Sequence, residues 1–200
     1  MNRRIATSCA WINALAVAGF ALSMLIGCNF GSYLCSMFIA FSFLPMACGF
    51  AQRAGEEGKV AGLCAVGFAA AYVAVICLVY FAQLTTVRFG GLSDQAARLL
   101  DFQRMGLLFN YDLLGYALMA LATFFAGLAV RPKTRGDRWL RALLLVHGVF
   151  FISCLIVPML NLFSADMPGG DRTGVILLEF WCAYFLPVGI LSARHFSREA

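Results

Sequence analysis

Long apolar stretches separated by short polar connections dominate the chain. A helix needs roughly 20 predominantly apolar residues to cross the hydrocarbon layer of a bilayer. Six stretches approach or reach that length, at residues 9–26, 33–51, 60–84, 107–130, 139–160 and 174–191. They do not alternate between apolar and polar residues as half-buried strands would, and backbone groups in lipid must be bonded within their own segment. The pattern predicts an all-α polytopic membrane protein in which residues 1–200 form a single domain of six transmembrane helices.

The third connection, residues 85–106, is the longest, and it predicts a short amphipathic surface helix between the third and fourth spans. Ser93 offers a helix cap ahead of residues 95–104. Arg98 and Asp101 stand three residues apart in that stretch, a spacing at which they can form an ion pair. Such a helix would either lie along the lipid headgroups, the interpretation we favour, or act as a lid over an outward-facing cavity.

Composition and charge support the membrane interpretation. Hydrophobic residues make up 62% of the chain and charged residues only 12%, against roughly 25% charged residues in an ordinary soluble domain. Too few charges remain to cover a water-facing surface, which excludes a soluble enzyme and a disordered tail. Eleven of the 15 basic residues lie in the two termini and in the second and fourth connections. The positive-inside rule therefore predicts a cell-membrane protein with both termini in the cytoplasm.

The same rule explains the most basic stretch, residues 131–141, so no nucleic-acid partner is expected. On the opposite side, the third and fifth connections carry four basic residues, among them Arg172.

The Leu-Ile-Gly-Cys run that ends at Cys28 resembles a bacterial lipoprotein signal. Because five further spans follow it, an uncleaved first helix is favoured. The sequence does not decide whether Cys28 and Cys35 form a disulfide.

Metal, cofactor and catalytic motifs are missing from the sequence. The eight cysteines contain no CxxC pair, and the two histidines lack the spacing and partners of a zinc site, so no metal and no cofactor are expected. The sequence has no nucleophile elbow, no HExxH motif and no phosphate-binding loop. No catalytic residue is assigned, and an enzyme is disfavoured although a membrane enzyme without a known motif stays open.

Three ionisable side chains lie inside the apolar stretches, where each is costly unless it faces protein or water. They are Asp112 in the fourth span, His147 in the fifth and Glu179 in the sixth. At about 1.5 Å of rise per residue, Asp112 lies about 8 Å inside the outer end of its helix, and Glu179 lies at a similar depth. Two carboxylates that meet there could share a proton, whereas carboxylates that meet arginines would only hold helices together.

Neighbouring polar residues extend this candidate ligand or proton site. The full set of candidates is Asp112, Glu179, Tyr111, Tyr116, Gln83, Arg88, Arg104 and His147. Tyr111 is adjacent to Asp112, and Tyr116 follows it on the same helix face. Gln83 closes the outer end of the third span, and the two arginines are the nearest cations in the outer connection. For His147, a buried histidine bonded to a neighbour is favoured over a proton relay.

Two segments resemble a loose group of small multi-spanning bacterial membrane proteins. They are the aromatic-Gln-Leu-Thr stretch at residues 80–88 and the Leu-Gly-Tyr helix at residues 114–122. The resemblance covers the central third of the chain and implies an architecture without an assigned activity. The Ala14-x-x-x-Ala18 pair is also similar to the small-residue pair through which substrate-binding subunits of energy-coupling-factor vitamin transporters dock their energising subunit.

Three functions stay open. The first, which we favour because the two acids match in depth, is the handling of a small solute by a carrier or by the binding subunit of a larger transporter. The second is a structural or regulatory role, as an accessory subunit or a sensor component without a ligand. The third is a membrane enzyme acting on lipid, in which His147 and Glu179 would be the acid/base pair. The expected partners are the lipid bilayer, a small solute and a partner membrane subunit.

Overall fold

The computed structural model describes residues 1–162 and 170–198. The described helices are α1 (Asn2–Leu25), α2 (Asn29–Arg53), α3 (Gly55–Ala82), α4 (Asp94–Leu100), α5 (Leu107–Ala129), α6 (Arg135–His147), α7 (Phe150–Met159) and α8 (Gly170–Ser197). A π-helical turn, Gln83–Val87, continues α3, and a 3-10 turn, Phe102–Arg104, follows α4. No strand occurs in these residues. Much of the predicted fifth connection, and the side chain of Arg172, lie outside the described part.

The six predicted spans are confirmed in the described chain. Six helical segments are long and apolar enough to cross a membrane: α1, α2, α3 with its π turn, α5, α6 joined with α7, and α8. Each span packs on the next along the chain, and α8 closes the ring by packing against both α6 and α1. The chain is therefore a multi-pass helical membrane protein. We call the face that carries both chain ends the inner face and the face that carries α4 the outer face.

The fifth span is divided into α6 and α7 at Gly148. The backbone N–H groups of Gly148 and Val149 bond to carbonyls three residues earlier, which tightens the helix into 3-10 geometry. A Cβ atom at position 148 would lie 2.9 Å from the Phe124 Cβ on α5. The missing side chain therefore lets the fifth span approach α5 immediately after His147, so that the histidine faces α5.

Glycines also allow two other close helix contacts, one between α3 and α5 and one between α1 and α8. A Cβ at Gly115 would lie 2.7 Å from the Ile76 Cδ1, so α5 and α3 approach closely at the level of the two acids. On the opposite side of the bundle, a Cβ at Gly189 of α8 would lie 3.1 Å from the Ala14 Cβ. Ala14 is therefore covered by α8, whereas Ala18 is exposed. The two alanines do not share one free surface.

Candidate functional site

Asp112 lies in the second turn of α5 and is buried, with 5% of its surface exposed. Its Oδ1 atom has no hydrogen-bond partner among the described residues. Burying a carboxylate without compensating hydrogen bonds or a cation is one of the most costly arrangements in a protein interior. This cost makes Asp112 the leading functional candidate of the bundle.

Three buried tyrosines surround the Asp112 carboxyl. The hydroxyls of Tyr80, Tyr72 and Tyr116 all interact with it electrostatically. The rings of Tyr72 and Tyr116 stand 6.0 Å apart. Both of these hydroxyl oxygens are buried and, like the Asp112 Oδ1, have no hydrogen-bond partner in the described chain. We call these four residues the Asp112 cluster; it offers three buried oxygen atoms with unused hydrogen-bonding capacity.

Glu179 lies on α8 and does not contact Asp112. It is half-buried, and its Oε1 atom also has no hydrogen-bond partner among the described residues. The Tyr116 hydroxyl interacts electrostatically with both Asp112 and the Cys182 thiol, and the Cys182 thiol interacts electrostatically with Glu179. Among the described residues, no hydrogen bond joins the two carboxyl groups, so the expected meeting of the two acids is not seen as a hydrogen-bonded pair.

Gln83 attaches the third connection over the outer side of the Asp112 cluster. Its side-chain amide donates to the Leu100 carbonyl at 2.8 Å, and its carbonyl oxygen accepts from the Phe102 backbone N–H at 3.0 Å. The Phe102 ring consequently lies 6.0 Å from the Tyr80 ring and 5.3 Å from the Phe109 ring. Both polar atoms of the Gln83 side chain are thus used in these hydrogen bonds, and the Phe102 ring covers the Asp112 cluster. We call residues 94–104 the outer cover.

The outer cover differs in detail from the prediction for residues 95–104. The expected pairing of Arg98 with Asp101 is wrong: Arg98 pairs with Asp94 at 3.0 Å, one helical turn earlier. Asp101 instead accepts from the Gln103 backbone N–H at 2.9 Å. A 3-10 turn begins directly after Asp101, and its first N–H groups have no partner inside the turn, so a carboxylate at that position is better used as a cap.

A cleft of about 210 Å³ opens on the outer face beside the attachment. Tyr33, Gln83 and Arg88 are among the residues that line it. The Tyr33 ring packs 5.5 Å from the Tyr80 ring, and the Tyr33 hydroxyl accepts from the Gln103 amide at 2.9 Å. The cleft and the Asp112 cluster are therefore separated by the Tyr33 side chain and the outer cover.

The remaining candidates lie apart from the acids. Arg88 stacks on a phenylalanine ring, with its Cζ atom 4.6 Å from the ring centroid. Arg104 is exposed on the outer face, and Tyr111 is 47% exposed on the bundle surface. Neither arginine forms an ion pair with Asp112 or Glu179 in the part of the chain that the structure describes. The acids are therefore not held by these arginines.

His147 is buried, and both of its ring nitrogens are occupied. The Trp181 indole N–H donates to Nε2 at 3.1 Å, and the Thr123 hydroxyl lies 2.8 Å from Nδ1. Because an indole N–H can only donate, Nε2 accepts and Nδ1 carries the proton. The Thr123 hydroxyl in turn donates to the Ala120 carbonyl at 2.9 Å. This chain of bonds joins three helices and leaves no ring nitrogen free for acid/base chemistry with Glu179.

Sequence reasoning missed Tyr72 and Trp181. Tyr72 stands about two helical turns before Tyr80, so the spacing alone places both rings on one face of α3. That signal was available, but a tyrosine inside an apolar helix is ordinarily a packing residue. For Trp181 the sequence carries no comparable signal, because its partner His147 belongs to a different helix.

No protein-family model, no curated protein and no solved structure matches this chain.

Within the described residues, no group of three His, Cys, Asp or Glu side chains could hold a metal ion. All eight cysteines are free thiols, including Cys28 and Cys35. The unused ligand atoms around Asp112 are oxygens from one carboxylate and two hydroxyls. Oxygen ligands suit a proton or a hard cation and do not suit the softer metals that prefer thiolate or imidazole.

Proposed function

We propose that this membrane protein handles a small solute and that a small monovalent cation, either a proton or a metal or ammonium ion, binds at the Asp112 cluster. The observation that carries the proposal is the grouping of three buried oxygen atoms without partners: Asp112 Oδ1, Tyr72 Oη and Tyr116 Oη. A buried polar atom without a partner calls for an explanation such as a bound ion, and here a carboxylate oxygen and two hydroxyl oxygens lie in one cluster.

The negative charge of the Asp112 carboxylate determines that the ligand must be positively charged. An ionised carboxylate inside a membrane-spanning bundle needs a positive charge close to it. No lysine or arginine among the described residues forms an ion pair with Asp112. A proton would neutralise the group directly. A sodium or ammonium ion would do so by binding the carboxylate, with the free hydroxyls of Tyr72 and Tyr116 as additional ligands.

The outer cover supports a binding site that is closed in this conformation. Phe102 and Tyr33 stand between the Asp112 cluster and the outer cleft, and two hydrogen bonds from Gln83 keep Phe102 in place. A site covered by a short, polar-anchored connection can open when a few hydrogen bonds are exchanged for water, as access from the outer face requires.

The cation proposal is tested by thermal unfolding of the purified protein in detergent, in sodium, potassium or ammonium chloride, against choline chloride at the same ionic strength. A ligand present at about 100 times its Kd stabilises the folded state by about 2.7 kcal/mol. We expect at least one small cation to raise the Tm of the wild type and not that of Asp112→Asn. Asp101→Asn, which removes an acid of the outer cover, is the matched control and should respond like the wild type.

A bound proton is detected separately by infrared spectroscopy, because an un-ionised carboxyl has a carbonyl band that a carboxylate lacks. If the bound cation is a proton, we expect this band in the wild type and in Glu179→Gln, and its loss in Asp112→Asn. If Asp112→Asn retains both the band and the cation-dependent shift, or if the wild type shows neither, the proposal is wrong. The structural role would then be the better explanation for Asp112.

A further inference from the structure

A second cavity, of about 620 Å³, opens on the inner face where the ends of α1, α2, α3, α5, α6 and α8 converge. Its lining includes six basic or titratable nitrogen-bearing side chains: Arg3, Arg53, Arg131, Lys133, His195 and Arg198. Cavities of this size hold small-molecule ligands. The positive-inside rule explains why basic residues occur on this face, but it does not explain why they converge on one concave site.

The carboxylate in this lining, Asp137, is occupied by other residues. It accepts from the Thr134 backbone N–H at 2.9 Å and from the Thr134 hydroxyl at 2.8 Å. It also bonds His195 Nδ1 at 2.9 Å and Arg198 at 3.1 Å, and accepts from the Lys133 backbone N–H at 3.2 Å. Asp137 is therefore occupied by His195 and Arg198, and it forms no hydrogen bond or ion pair with the side chains of Arg53, Arg131 or Lys133.

Arg53 is fixed at the cavity wall by neutral acceptors. Its guanidinium donates to the backbone carbonyls of His195, Phe196 and Arg198 at 2.8, 2.9 and 2.9 Å. These bonds satisfy carbonyls at the end of α8, which have no partner within the helix. They order the guanidinium without neutralising it, so Arg53 presents a fixed positive charge to the cavity.

Arg131 is positioned by a glycine at the start of α3. Gly55 adopts φ +66°, and a Cβ atom there would lie 2.6 Å from the Arg131 Cζ, so the guanidinium rests directly against the backbone. The nearest acid is Glu57 at 3.5 Å, whose side chain is 95% exposed. A solvent-exposed pair of this kind is weak. The positive end of the α3 dipole adds to the field at the same position.

We propose that the inner cavity binds a phosphate group, either as free phosphate or as the headgroup of an anionic lipid. Guanidinium groups recognise phosphate through paired N–H donors, and the cavity combines ordered guanidinium groups with a lysine at its rim. The proposal is independent of the Asp112 cluster, which lies at the other end of the bundle. It assigns a ligand class to the fourth connection, whose charges otherwise serve only to orient the chain.

The test measures binding to the full chain in detergent with inorganic phosphate as the probe, and in nanodiscs of phosphatidylcholine with or without phosphatidic acid. The test variant is Arg131→Gln with Lys133→Gln. Its matched control, Arg135→Gln with Arg138→Gln, removes the same charge from exposed positions of the same region that do not line the cavity. Losing charge-assisted hydrogen bonds should weaken binding by about tenfold or more in the test variant, and by less than about twofold in the control.

Binding of inorganic phosphate that is lost selectively in the test variant supports the proposal with free phosphate as the source. Selective loss that appears only in nanodiscs containing phosphatidic acid supports a lipid headgroup. Equal weakening in both double variants would show a general surface-charge effect and overturn the proposal. Failure of the wild type to bind either probe would overturn it as well. The Tm of each double variant, measured without phosphate, verifies that it is folded.

Discussion

Two aspartates are buried in the described part of the chain, and they lie at opposite ends of the bundle with opposite surroundings. Asp137, 3% exposed near the inner face, is bonded to a threonine, a histidine and an arginine. Asp112, 5% exposed near the outer face, has tyrosines around it and an oxygen without a partner. Burial is almost the same for both side chains, so burial alone does not distinguish a structural acid from a functional one.

Asp137 and Asp112 differ in whether neighbouring residues supply a compensating positive charge. The fold itself supplies it to Asp137, because the Thr134 capping box and the end of α8 meet at that side chain. For Asp112, the described residues supply hydroxyl groups and no basic side chain. We infer that Asp137 contributes to stability, whereas Asp112 is retained at a cost to stability, as binding sites commonly are.

The largest expected effect is at the inner acid. Asp137→Asn removes the negative charge that faces His195 and Arg198, and it weakens the cap of α6. Breaking such a buried network should lower the free energy of unfolding by about 2–3 kcal/mol, measured by unfolding in mixed detergent and dodecyl sulfate. Asp94→Asn is the control, because its pair with Arg98 is exposed and should contribute less than about 0.5 kcal/mol. If Asp137→Asn lowers the free energy of unfolding no more than the control does, Asp137 does not stabilise the fold and does not differ from Asp112 in that respect.

An intermediate effect is expected at the outer cover. Gln83→Leu removes two hydrogen bonds and leaves the Leu100 carbonyl and the Phe102 N–H without partners, at a local cost of about 1–2 kcal/mol. The amides of residues 94–104 should then exchange with deuterium about tenfold faster, a shift that mass spectrometry resolves. Gln103→Leu, which removes one exposed bond to Tyr33, should have a smaller effect. Equal protection in Gln83→Leu and the wild type would show that Gln83 does not anchor the cover.

The smallest effect is expected at Asp112, and its sign is the opposite of that at Asp137. Asp112→Asn removes a buried carboxylate that lacks a cation, so the free energy of unfolding should stay unchanged or rise by about 1 kcal/mol. The measurement is the same unfolding titration as for Asp137→Asn, without added cation. A decrease of 2 kcal/mol or more, on the order of the loss expected at Asp137, would show that Asp112 holds helices together and would support the structural hypothesis.

Much of the fold could be predicted from the sequence, because crossing a membrane requires long apolar segments that are visible residue by residue. All six spans were predicted, and Ser93 caps α4 as expected by accepting from the Ala96 N–H. The division of the fifth span was not predicted, since it depends on the close approach of Gly148 to Phe124 on another helix. Local capping and hydropathy are properties of short segments, whereas that approach is a property of the packed bundle.

The candidate site was predictable only in part. Hydropathy alone singles out Asp112, Glu179 and His147, because an ionisable residue in an apolar helix is rare. Their separate surroundings depend on partners from other helices: Trp181 and Thr123 occupy both nitrogens of His147, whereas Asp112 lies among tyrosines of α3 and α5.

By itself, the sequence determined the helical class, the number of spans and the three ionisable side chains inside them, because each follows from the cost of placing polar groups in hydrocarbon. Only the tertiary structure decided which of those side chains are compensated. Hydrogen bonds and ion pairs form between residues far apart in the chain, and their geometry is set by which helices pack together. Asp137 and Asp112 differ for that reason: His195 and Arg198 reach Asp137 from the end of α8, whereas no basic side chain of the described residues pairs with Asp112.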